Sequence, residues 1–334
     1  MKAARFAEFG GPDVLEYVDV PRPVPEADEV LIDVAAAGVQ LLDARQRAGF
    51  YQRPEARLGD VGLPQIPGSQ VVGVVSEVGT SADARLLGQR VMGLLAKGGG
   101  YAQHAVAHPA FLVPVPGSAD AFEMATLPGQ GISAWLMLRA AAQLRPGERV
   151  LVHAGAGGVA SLAIQIAKML GARLVVATAA TQDKRDFAKS LGAHVTVDYQ
   201  DAGWPQAVLE RTEGRGVDII LESVGGDVFD RNFDCLAPFG RVVLYSSTRG
   251  ADQQFPPRRL MAKSQTLIGF FGATYMMNRP ALVREALQFL VDHAIDGSLR
   301  PQLAMTLPLS QAAEAHRLLE ARKVKGVIVL DPRS

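Results

Sequence analysis

The sequence predicts an α/β protein in which a mainly β domain is interrupted by a domain with a doubly wound parallel sheet. In roughly the first 120 residues, short β-like runs alternate with turns rich in Gly and Pro. From about residue 123 onward, strands alternate with amphipathic helices, a pattern typical of parallel sheets. A glycine-rich turn follows the first strand of this second region. These three observations define the predicted fold class.

The first region contains turn signals such as Gly10-Gly11-Pro12 and Gly98-Gly99-Gly100. Its predicted strands are rich in β-branched and other apolar residues and cover residues 30–34, 71–78, 89–95 and 101–106. Short strands separated by frequent turns indicate a compact, mainly β domain.

The second region begins with a buried strand at residues 150–153. In the helix that follows, apolar side chains recur at helical spacing on one face, and Gly171 ends the helix. This face consists of Val159, Leu162, Ala163, Ile166, Ala167 and Leu170. A second helix is predicted at residues 184–191, and further strands at residues 173–178, 195–197, 217–221, 241–245 and 267–271.

The tail of the chain changes pattern once more. A helix begins near Pro280, and the last predicted strand covers residues 327–330. The apolar face of that helix consists of Val283, Ala286, Leu287, Leu290 and Ala294. We expect the tail to rejoin the first domain. The expected division is a catalytic domain of residues 1–123 and 269–334 and a nucleotide domain of residues 124–268.

The composition favours a two-domain protein of the reducing cytoplasm. The 334 residues exceed what one compact core of ordinary size accommodates. Lys plus Arg equals Asp plus Glu at 34 each, so no bulk charge attracts nucleic acid or an anionic membrane. The one cysteine, Cys235, cannot form an internal disulfide. Neither a signal peptide nor a run of roughly 20 apolar residues is recognisable.

A dinucleotide-binding loop is predicted between the strand at residues 150–153 and the helix after it. Gly155 is expected to allow the tight turn, Gly157 to allow close approach of a pyrophosphate, and Ala160 to let the helix pack on the strand. The helix start supplies free N–H groups and positive dipole for phosphates. Such a motif alone is weak, but here strand, loop and helix come in the required order. The loop consists of Gly155, Ala156, Gly157, Gly158, Val159 and Ala160.

The segment after the next strand favours NADPH over NADH. An NAD site usually has an acidic residue there for the ribose 2′-hydroxyl, but the sequence has no carboxylate between Thr178 and Asp183. Lys184 and Arg185 follow at once, and a cation there can pair with a 2′-phosphate. Ordinary solvated helix charges are the alternative explanation for both cations.

Several stretches distributed along the chain resemble the zeta-crystallin-like, zinc-free quinone oxidoreductases of the medium-chain dehydrogenase/reductase superfamily. They are residues 151–161, Ala36-Ala37-Gly38-Val39, Pro67-Gly68-Ser69, Gly73-Val74-Val75, Gly100-Tyr101-Ala102, Arg145-Pro146-Gly147-Glu148, Gly214-Arg215-Gly216-Val217-Asp218, Ser223-Val224-Gly225-Gly226 and Gly240-Arg241-Val242-Val243. The resemblance implies a GroES-like catalytic domain with an inserted Rossmann domain, a cleft between them, and a homodimer or a dimer of dimers.

The resemblance also implies further contacts to NADPH. Tyr199 and Arg322 match residues near the adenosine phosphate, and Ser133 matches a Thr near the nicotinamide. For Tyr199 and Arg322, an ordinary surface or rim position is the alternative explanation. Besides the loop and Lys184, the expected cofactor-binding residues are Ser133, Thr178, Tyr199, Ser246, Phe270 and Arg322.

No metal site is expected. Zinc-dependent relatives use Cys, a His-Glu pair and Cys, whereas the matching positions here read Ala37-Gly38-Val39-Gln40 and Gly68-Ser69-Gln70. The six histidines, at positions 104, 108, 153, 194, 293 and 316, show no metal-ligand spacing. Because a plain ketone is hard to reduce without a Lewis acid, we expect an already electrophilic substrate such as a quinone or an enone.

Tyr51, Gln40 and Gln70 are the candidate catalytic residues. Tyr51 resembles a family Tyr whose phenol could donate a hydrogen bond or a proton to substrate, although it could also only pack there. Gln40 and Gln70 stand where the family usually has Asn and Asp; they can donate but cannot act as bases. The segment 52–65, with its charged residues Arg53, Arg57 and Asp60, looks longer than usual and is either a lid or a solvated insertion.

Three functions remain open from the sequence. The leading one is an NADPH-dependent reductase of quinones or enones. The second is a reductase of enoyl thioesters or polyketide-type intermediates, for which Arg53, Arg57, Arg258 and Arg259 could form a basic entrance. The third is a protein that binds NADPH without turnover, as a redox sensor or a structural protein. It would bind NADPH while no electron acceptor oxidises the cofactor.

Overall fold

The structure is a computed structural model that describes residues 1–53, 62–246 and 255–334. The described residues form two compact units, Met1–Ile132 with Ala273–Ser334 and Ser133–Gly272. We call them the outer unit and the inserted unit. Within these residues, no helix combines the length and the apolar character that a membrane span requires.

The strands of the described residues are, in chain order, β1 (Lys2–Arg5), β2 (Glu16–Asp19), β3 (Val30–Gly38), β4 (Gln70–Val78), β5 (Arg90–Leu94), β6 (His104–Ala107), β7 (Leu112–Pro114), β8 (Arg149–Val152), β9 (Leu174–Thr178), β10 (Val195–Val197), β11 (Val217–Glu222), β12 (Leu236–Leu244), β13 (Thr266–Gly269), β14 (Leu303–Pro308) and β15 (Val327–Asp331).

The α-helices of the described residues are α1 (Leu41–Arg47), α2 (Ala121–Met124), α3 (Pro128–Leu136), α4 (Gly158–Met169), α5 (Gln182–Ser190), α6 (Trp204–Arg211), α7 (Asp227–Cys235), α8 (Arg258–Met261), α9 (Gly272–Asn278), α10 (Pro280–Ile295) and α11 (Ala312–Glu320).

The outer unit is built on a mainly antiparallel sheet with the strand order β14-β15-β3-β4-β5-β7, while β6 pairs with β3. The central strand β3 is buried over most of its length because its apolar residues face the core between the sheet and the elements that cover it. The last strand of the chain returns to this sheet, where Val329 lies opposite Gly38 and Leu330 opposite Ala37. This unit is the predicted mainly β part of the fold.

The inserted unit is a parallel sheet with the order β10-β9-β8-β11-β12-β13. Its inner strands are almost entirely buried, as expected when helices cover both faces of a sheet. The chain passes from β8 outward through β9 to β10, then starts again on the other side of β8 with β11. The predicted doubly wound topology is confirmed, and the point where the strand order reverses lies at β8.

Candidate nucleotide and substrate sites

The glycine loop lies where a doubly wound sheet binds its ligands, at the carboxyl end of the strand next to the reversal. β8 ends at Val152 and α4 begins at Gly158. The Gly155 N–H donates to the Thr178 carbonyl at 2.8 Å, which fastens the loop to the end of the neighbouring strand β9. The structure therefore places the loop at the edge where a dinucleotide is expected.

The two glycines of the motif, Gly155 and Gly157, are required for different structural reasons. The left-handed residue of the turn is Ala154, with φ of 52°, so Gly155 does not supply the turn conformation that the sequence suggested. A Cβ on Gly155 would instead lie 3.0 Å from the Ala177 Cβ and 3.1 Å from the Ala188 Cβ. Gly155 is thus required for close packing of loop, strand and helix.

Gly157 is less tightly packed than Gly155. A Cβ there would meet, among the described residues, only the Ala154 carbonyl oxygen, at 3.3 Å. Gly157, Gly158 and Val159 are partly exposed, whereas Ala160 is buried against the sheet as predicted. The first N–H groups of α4 have no partner within the helix, and the helix dipole adds positive potential there. This surface fits a pyrophosphate that approaches the backbone closely.

The two cations that follow β9, Lys184 and Arg185, have different surroundings. The Arg185 guanidinium donates to the Asp198 carboxylate at 2.8 Å and to the Ala179 carbonyl at 3.0 Å, so it ties the ends of β9 and β10 together. Lys184 is half-buried in the first turn of α5, where its N–H is capped by the Thr181 hydroxyl. Lys184 stays the predicted contact to a 2′-phosphate.

Four further predicted cofactor residues lie in the inserted unit. Tyr199 follows β10 and packs against the core of this unit, and Phe270 follows β13 and is 8% exposed. Ser246 follows β12, and its hydroxyl is buried without a hydrogen-bond partner among the described residues. Ser133 lies next to Gly272, on which a Cβ would be 3.8 Å from the Ser133 hydroxyl. The unpartnered Ser246 hydroxyl is what a bound polar ligand at this edge would satisfy.

The remaining two predicted cofactor residues differ in setting. Thr178, at the end of β9, is fully buried, and its side chain faces His153. Its carbonyl, which holds the Gly155 N–H, is its contribution to the loop. Arg322 belongs to the outer unit, follows α11, is exposed, and has a left-handed φ of 55°.

A buried polar network below the glycine loop was not predicted. His153 Nε2 lies 2.7 Å from the Asn232 Oδ1, and the Asn232 amide donates to the Glu222 carboxylate. His153 Nε2 therefore carries the proton, and in the neutral ring Nδ1 accepts from the Thr178 hydroxyl at 2.8 Å. Backbone N–H groups of Val224 and Gly225 also donate to Glu222. The network connects the carboxyl ends of β8, β9 and β11.

In the outer unit, Gln40 belongs to a second buried network, centred on Asp43. Asp43 is the third residue of α1, and its Oδ2 accepts the Gln40 backbone N–H at 3.0 Å, which caps the helix. The Ser69 hydroxyl donates to Asp43 Oδ1 at 2.9 Å, and the Gln40 side-chain amide donates to Ser69 Oγ at 2.9 Å. One carboxylate thus organises both the start of α1 and the residues before β4.

Burial dominates the chemistry of this network. It raises the pKa of Asp43 to about 6, although hydrogen bonds from Gln40, Ser69, Gly68 and Tyr101 oppose the shift. The Tyr101 hydroxyl lies 3.4 Å from Asp43 Oδ2 and 3.1 Å from His316 Nε2. Burial also lowers the pKa of His316 to about 3, with the nearby Arg47 charge acting in the same direction. His316 is therefore neutral at physiological pH.

Gln70 is placed deeper than a substrate contact requires. It is fully buried, and its Oε1 accepts the Gly129 N–H at 2.6 Å. The neighbouring Gln130 donates to the Val39 carbonyl at 3.3 Å. Gln70 Nε2 and Gln130 Oε1 have no hydrogen-bond partner within the described part of the chain. Gln70 thus helps to join β4 to the start of α3.

Tyr51 lies in a short 3-10 turn, Phe50–Gln52, and is 9% exposed. Its ring packs edge-on against Phe50 at 5.3 Å. Burial raises the pKa of the Tyr51 phenol, and the Arg45 guanidinium opposes this shift by its charge and a hydrogen bond. The phenol is therefore protonated at neutral pH and can donate.

Part of the charged segment that follows lies outside the described residues, including Arg57 and Asp60. Arg53 lies over the Phe50 ring at 5.3 Å. In the inserted unit, Arg259 pairs with Asp234 at 2.8 Å. Among the described arginines of the expected basic entrance, Arg53 therefore contacts an aromatic ring and Arg259 forms an ion pair.

Within residues 1–53, 62–246 and 255–334, no group of three or more His, Cys, Asp or Glu side chains is arranged to hold a metal ion. Cys235 ends α7 and is buried, and burial raises the pKa of its thiol to about 12. The positions that match zinc ligands in relatives instead hold the hydrogen-bonded pair Gln40 and Ser69.

Sequence reasoning missed Asp43 and His153, although each carried a signal. Asp43 is a charged residue in a helix that begins Leu41-Leu42, and it falls three positions after Gln40, as in a capping box. His153 directly continues the apolar strand Val150-Leu151-Val152 at the mouth of the glycine loop. Polar residues in such apolar surroundings are commonly held by buried partners.

The chain is similar to known oxidoreductases over its whole length. Residues 26–117 match the alcohol dehydrogenase GroES-like domain, and residues 158–292 match the zinc-binding dehydrogenase family. The chain is 32% identical to a quinone oxidoreductase of Pseudomonas aeruginosa and 32% identical to a 2-haloacrylate reductase of a Burkholderia species, each over 99% of both chains.

Among solved structures, the Escherichia coli quinone oxidoreductase complexed with NADPH superimposes with a TM-score of 0.91 at 28% identity. The match covers 99% of this chain and 100% of that one. The GroES-like sheet, the inserted doubly wound sheet and the loop at the reversal of strand order agree with these matches. The chain therefore belongs to the zinc-free quinone oxidoreductase family of the medium-chain dehydrogenase/reductase superfamily.

Proposed function

We propose that this protein is an NADPH-dependent reductase that delivers hydride to a quinone or another conjugated carbonyl compound. The observation that carries the proposal is the start of α4. There, the partly exposed Gly157 and the first N–H groups of the helix lie beside a strand end that lacks the acidic residue of an NAD site. When bound, NADPH supplies the hydride. The residues of the chain bind and orient both reactants.

For the nucleotide, the backbone of Gly157, Gly158 and Val159 binds the pyrophosphate, and Lys184 binds the 2′-phosphate. Arg185 supports this recognition because it neutralises Asp198 near the same strand ends. Tyr199, Ser246 and Phe270 complete the binding edge, together with Ser133, Thr178 and Arg322 as proposed further contacts.

For the acceptor, Gln40 and Tyr51 supply hydrogen-bond donors. Reduction of a conjugated carbonyl puts negative charge on the carbonyl oxygen, and a donor directed at that oxygen stabilises the charge. The Tyr51 phenol is protonated at neutral pH, as an ordinary phenol is, and burial raises its pKa further. Gln70 supports the site without contacting the acceptor, since its side chain is buried and accepts the Gly129 N–H.

We further propose that the protein acts as a homodimer in the cytoplasm. The family resemblance supports the dimer, and the neutral charge balance and the single buried cysteine are compatible with that compartment. Light scattering of the purified protein tests the dimer directly: a mass near twice 35.5 kDa supports it, and a mass near 35.5 kDa contradicts it.

The activity is tested by the absorbance of NADPH and of NADH, each mixed with the protein and a panel of acceptors. The panel contains quinones, enones, enoyl thioesters and simple ketones. We expect NADPH to be oxidised with quinones or enones and NADH far less. Tyr51→Phe and Gln40→Ala are expected to slow the reaction, and Tyr17→Phe, on the exposed strand β2, serves as the matched control.

Three outcomes would each reject the proposal. Fast oxidation with simple ketones but not with quinones or enones would assign a different substrate class. Tight binding of NADPH without oxidation by any acceptor would instead favour a binding protein without turnover. Oxidation by enoyl thioesters alone would favour the thioester reductase that the sequence left open.

A further inference from the structure

Four fully buried side chains below the glycine loop form one continuous chain of hydrogen bonds, which we call the Glu222 network. It runs from Glu222 at the end of β11 through Asn232 of α7 and His153 after β8 to Thr178 at the end of β9. Among the residues that the structure describes, no further hydrogen bond holds the side-chain amide of Asn232 or the ring of His153. Their orientation therefore depends on the network itself.

The charge of Glu222 determines the direction of these hydrogen bonds. A carboxylate can only accept, so Asn232 must face Glu222 Oε2 with its Nδ2 and His153 with its Oδ1. His153 Nε2 therefore carries the ring proton, and it also lies 3.4 Å from Glu222 Oε2. The other ring nitrogen, Nδ1, is left to accept from the Thr178 hydroxyl at 2.8 Å.

Each end of the network holds a segment at the carboxyl edge of the sheet, where a doubly wound fold binds its nucleotide. At one end, Glu222 Oε1 accepts the N–H groups of Val224 and Gly225, at 2.5 and 2.8 Å, and so shapes the loop after β11. At the other end, the Thr178 carbonyl accepts the Gly155 N–H at 2.8 Å. The network thus connects the glycine loop with the loop that follows β11.

We propose that Glu222 is a positioning residue for NADPH: through Asn232 and His153, it fixes the glycine loop relative to the loop that follows β11. All three side chains are fully buried, so they act on the nucleotide through the backbone segments that they hold. This inference rests on the proposed function, since it takes NADPH as the bound nucleotide.

Glu222→Gln keeps the shape of the side chain but reverses the direction of the network. The two backbone N–H groups can only donate, so the new oxygen must take the place of Oε1 and the new amide nitrogen that of Oε2. Two amide nitrogens would then face each other unless Asn232 exchanges its oxygen and nitrogen. His153 must then accept at Nε2 and carry its proton on Nδ1, which leaves the Thr178 hydroxyl proton without its acceptor.

A second substitution restores the original direction. When Asn232→Asp is added to Glu222→Gln, the carboxylate moves by one position along the network and the total charge is that of the wild type. The new carboxylate accepts from the new amide on one side and from His153 Nε2 on the other. His153 therefore returns to its original tautomer, and its Nδ1 again accepts from Thr178.

The test combines ¹⁵N NMR of the histidine rings with titration of the protein by NADPH. The His153 signals, assigned by their loss in His153→Gln, are expected to show the proton on Nε2 in the wild type. Glu222→Gln should move the proton to Nδ1 and raise the NADPH dissociation constant about tenfold, the cost of one buried hydrogen bond left unmade. The double variant should recover both the tautomer and a dissociation constant close to that of the wild type.

Glu210→Gln, which changes an exposed glutamate in the last turn of α6, is the matched control and should alter neither the tautomer nor the affinity. Thermal melting shows which variants are folded. If Glu222→Gln does not fold, Asn232→Ala replaces it, because it cuts the link to His153 and leaves Glu222 bonded to the loop after β11. Both His153 tautomers should then be populated, and NADPH should bind more weakly.

Three results overturn the inference: an NADPH affinity that Glu222→Gln leaves unchanged, a His153 tautomer that it leaves unchanged, or a double variant that recovers the tautomer without the affinity. Failure of the proposed function looks different. A wild type that does not bind NADPH would remove the proposed function and the inference together, even if the tautomer shifted as expected. A wild type that binds NADPH no better than a folded Glu222→Gln would remove the positioning role alone.

Discussion

Lys184 and Arg185 are adjacent cations, yet the structure gives them different tasks. Arg185 pairs with Asp198, whereas Lys184 stands in the first turn of α5 beside the end of β9. Lys184→Ala is expected to weaken NADPH binding about tenfold, because a charge-assisted bond to phosphate contributes roughly 1.5–3 kcal/mol, less where water reaches it. NADH, which lacks the 2′-phosphate, should change little. Fluorescence titration with both nucleotides measures the difference.

Lys189→Ala is the matched control for this prediction, because Lys189 lies in the last turn of the same helix and is exposed. It removes the same charge from α5 and should leave both affinities almost unchanged. Equal losses for NADPH and NADH in Lys184→Ala would remove the phosphate role of this residue.

Single residues were predictable where their signal is local in sequence. The glycine loop and Lys184 are defined by a strand, a turn and a helix start within a short stretch of chain. Asp43 was not predictable as the centre of a network, because its partners Ser69 and Tyr101 lie on other segments. For the same reason, the contact between His153 and Asn232, 79 positions later, becomes visible only once β8 and α7 are packed in one unit.

At the scale of elements, the two glycines in the turn between β8 and α4 have different roles: Gly155 serves packing and Gly157 is proposed to serve nucleotide binding. Gly155→Ala is expected to destabilise the protein by about 1–3 kcal/mol, because the new Cβ would press against Ala177 and Ala188. Gly157→Ala should cost less stability than Gly155→Ala, since its new Cβ would meet one atom, the Ala154 carbonyl oxygen at 3.3 Å, and it should weaken NADPH binding by blocking close approach of the pyrophosphate.

Urea unfolding and NADPH titration of the two variants test this separation. The expected pattern is a lower unfolding free energy for Gly155→Ala than for Gly157→Ala, and a higher NADPH dissociation constant for Gly157→Ala. If Gly157→Ala bound NADPH as the wild type does, the assignment of its open side to the pyrophosphate would be wrong.

Helices and strands were predictable where their own pattern of apolar residues is strong. The strand predicted at residues 195–197 has those same bounds as β10, and the apolar face of α10 is buried at Val283, Ala286, Leu287 and Leu290. β3 was predicted too short, because its end is rich in small residues whose burial comes from the distant strand β15. β14 was not predicted at all, since its residues are partly exposed and carry no alternating pattern.

For the whole molecule, the fold class could be predicted from the change of periodicity along the chain. The pairing of β15, near the end of the chain, with β3, near its start, could not. Alternating strands and helices predict a parallel sheet wherever they occur. The contact of Leu330 with Ala37 in one sheet depends instead on strand pairing between opposite ends of the chain. We expected the tail to rejoin the first domain, but local periodicity contains no information about which strands pair.

Two buried groups of the outer unit, Asp43 and His316, give the whole protein opposing dependences of stability on pH. The pKa of Asp43 rises from 3.8 to about 6 on folding, so the stability that it contributes is present below pH 4 and is lost as the pH rises through 6. The pKa of His316 falls from 6.5 to about 3, so its contribution is present above pH 6.5 and is lost as the pH falls through 3.

Between pH 4 and pH 6 these two contributions nearly cancel in the wild type, because each changes by about 1.4 kcal/mol per pH unit with opposite sign. Asp43→Asn removes one of them, so its unfolding free energy should rise more steeply with pH than that of the wild type over this range. His316→Gln, which can still bond to Tyr101, should instead become less stable relative to the wild type as the pH rises.

Urea unfolding at pH 4, 5, 6 and 7 measures how steeply the unfolding free energy changes with pH, and the double variant should regain the wild-type slope. Single variants that ran parallel to the wild type would show that neither burial shifts a pKa, since a group with equal affinity for protons in both states cannot make stability depend on pH.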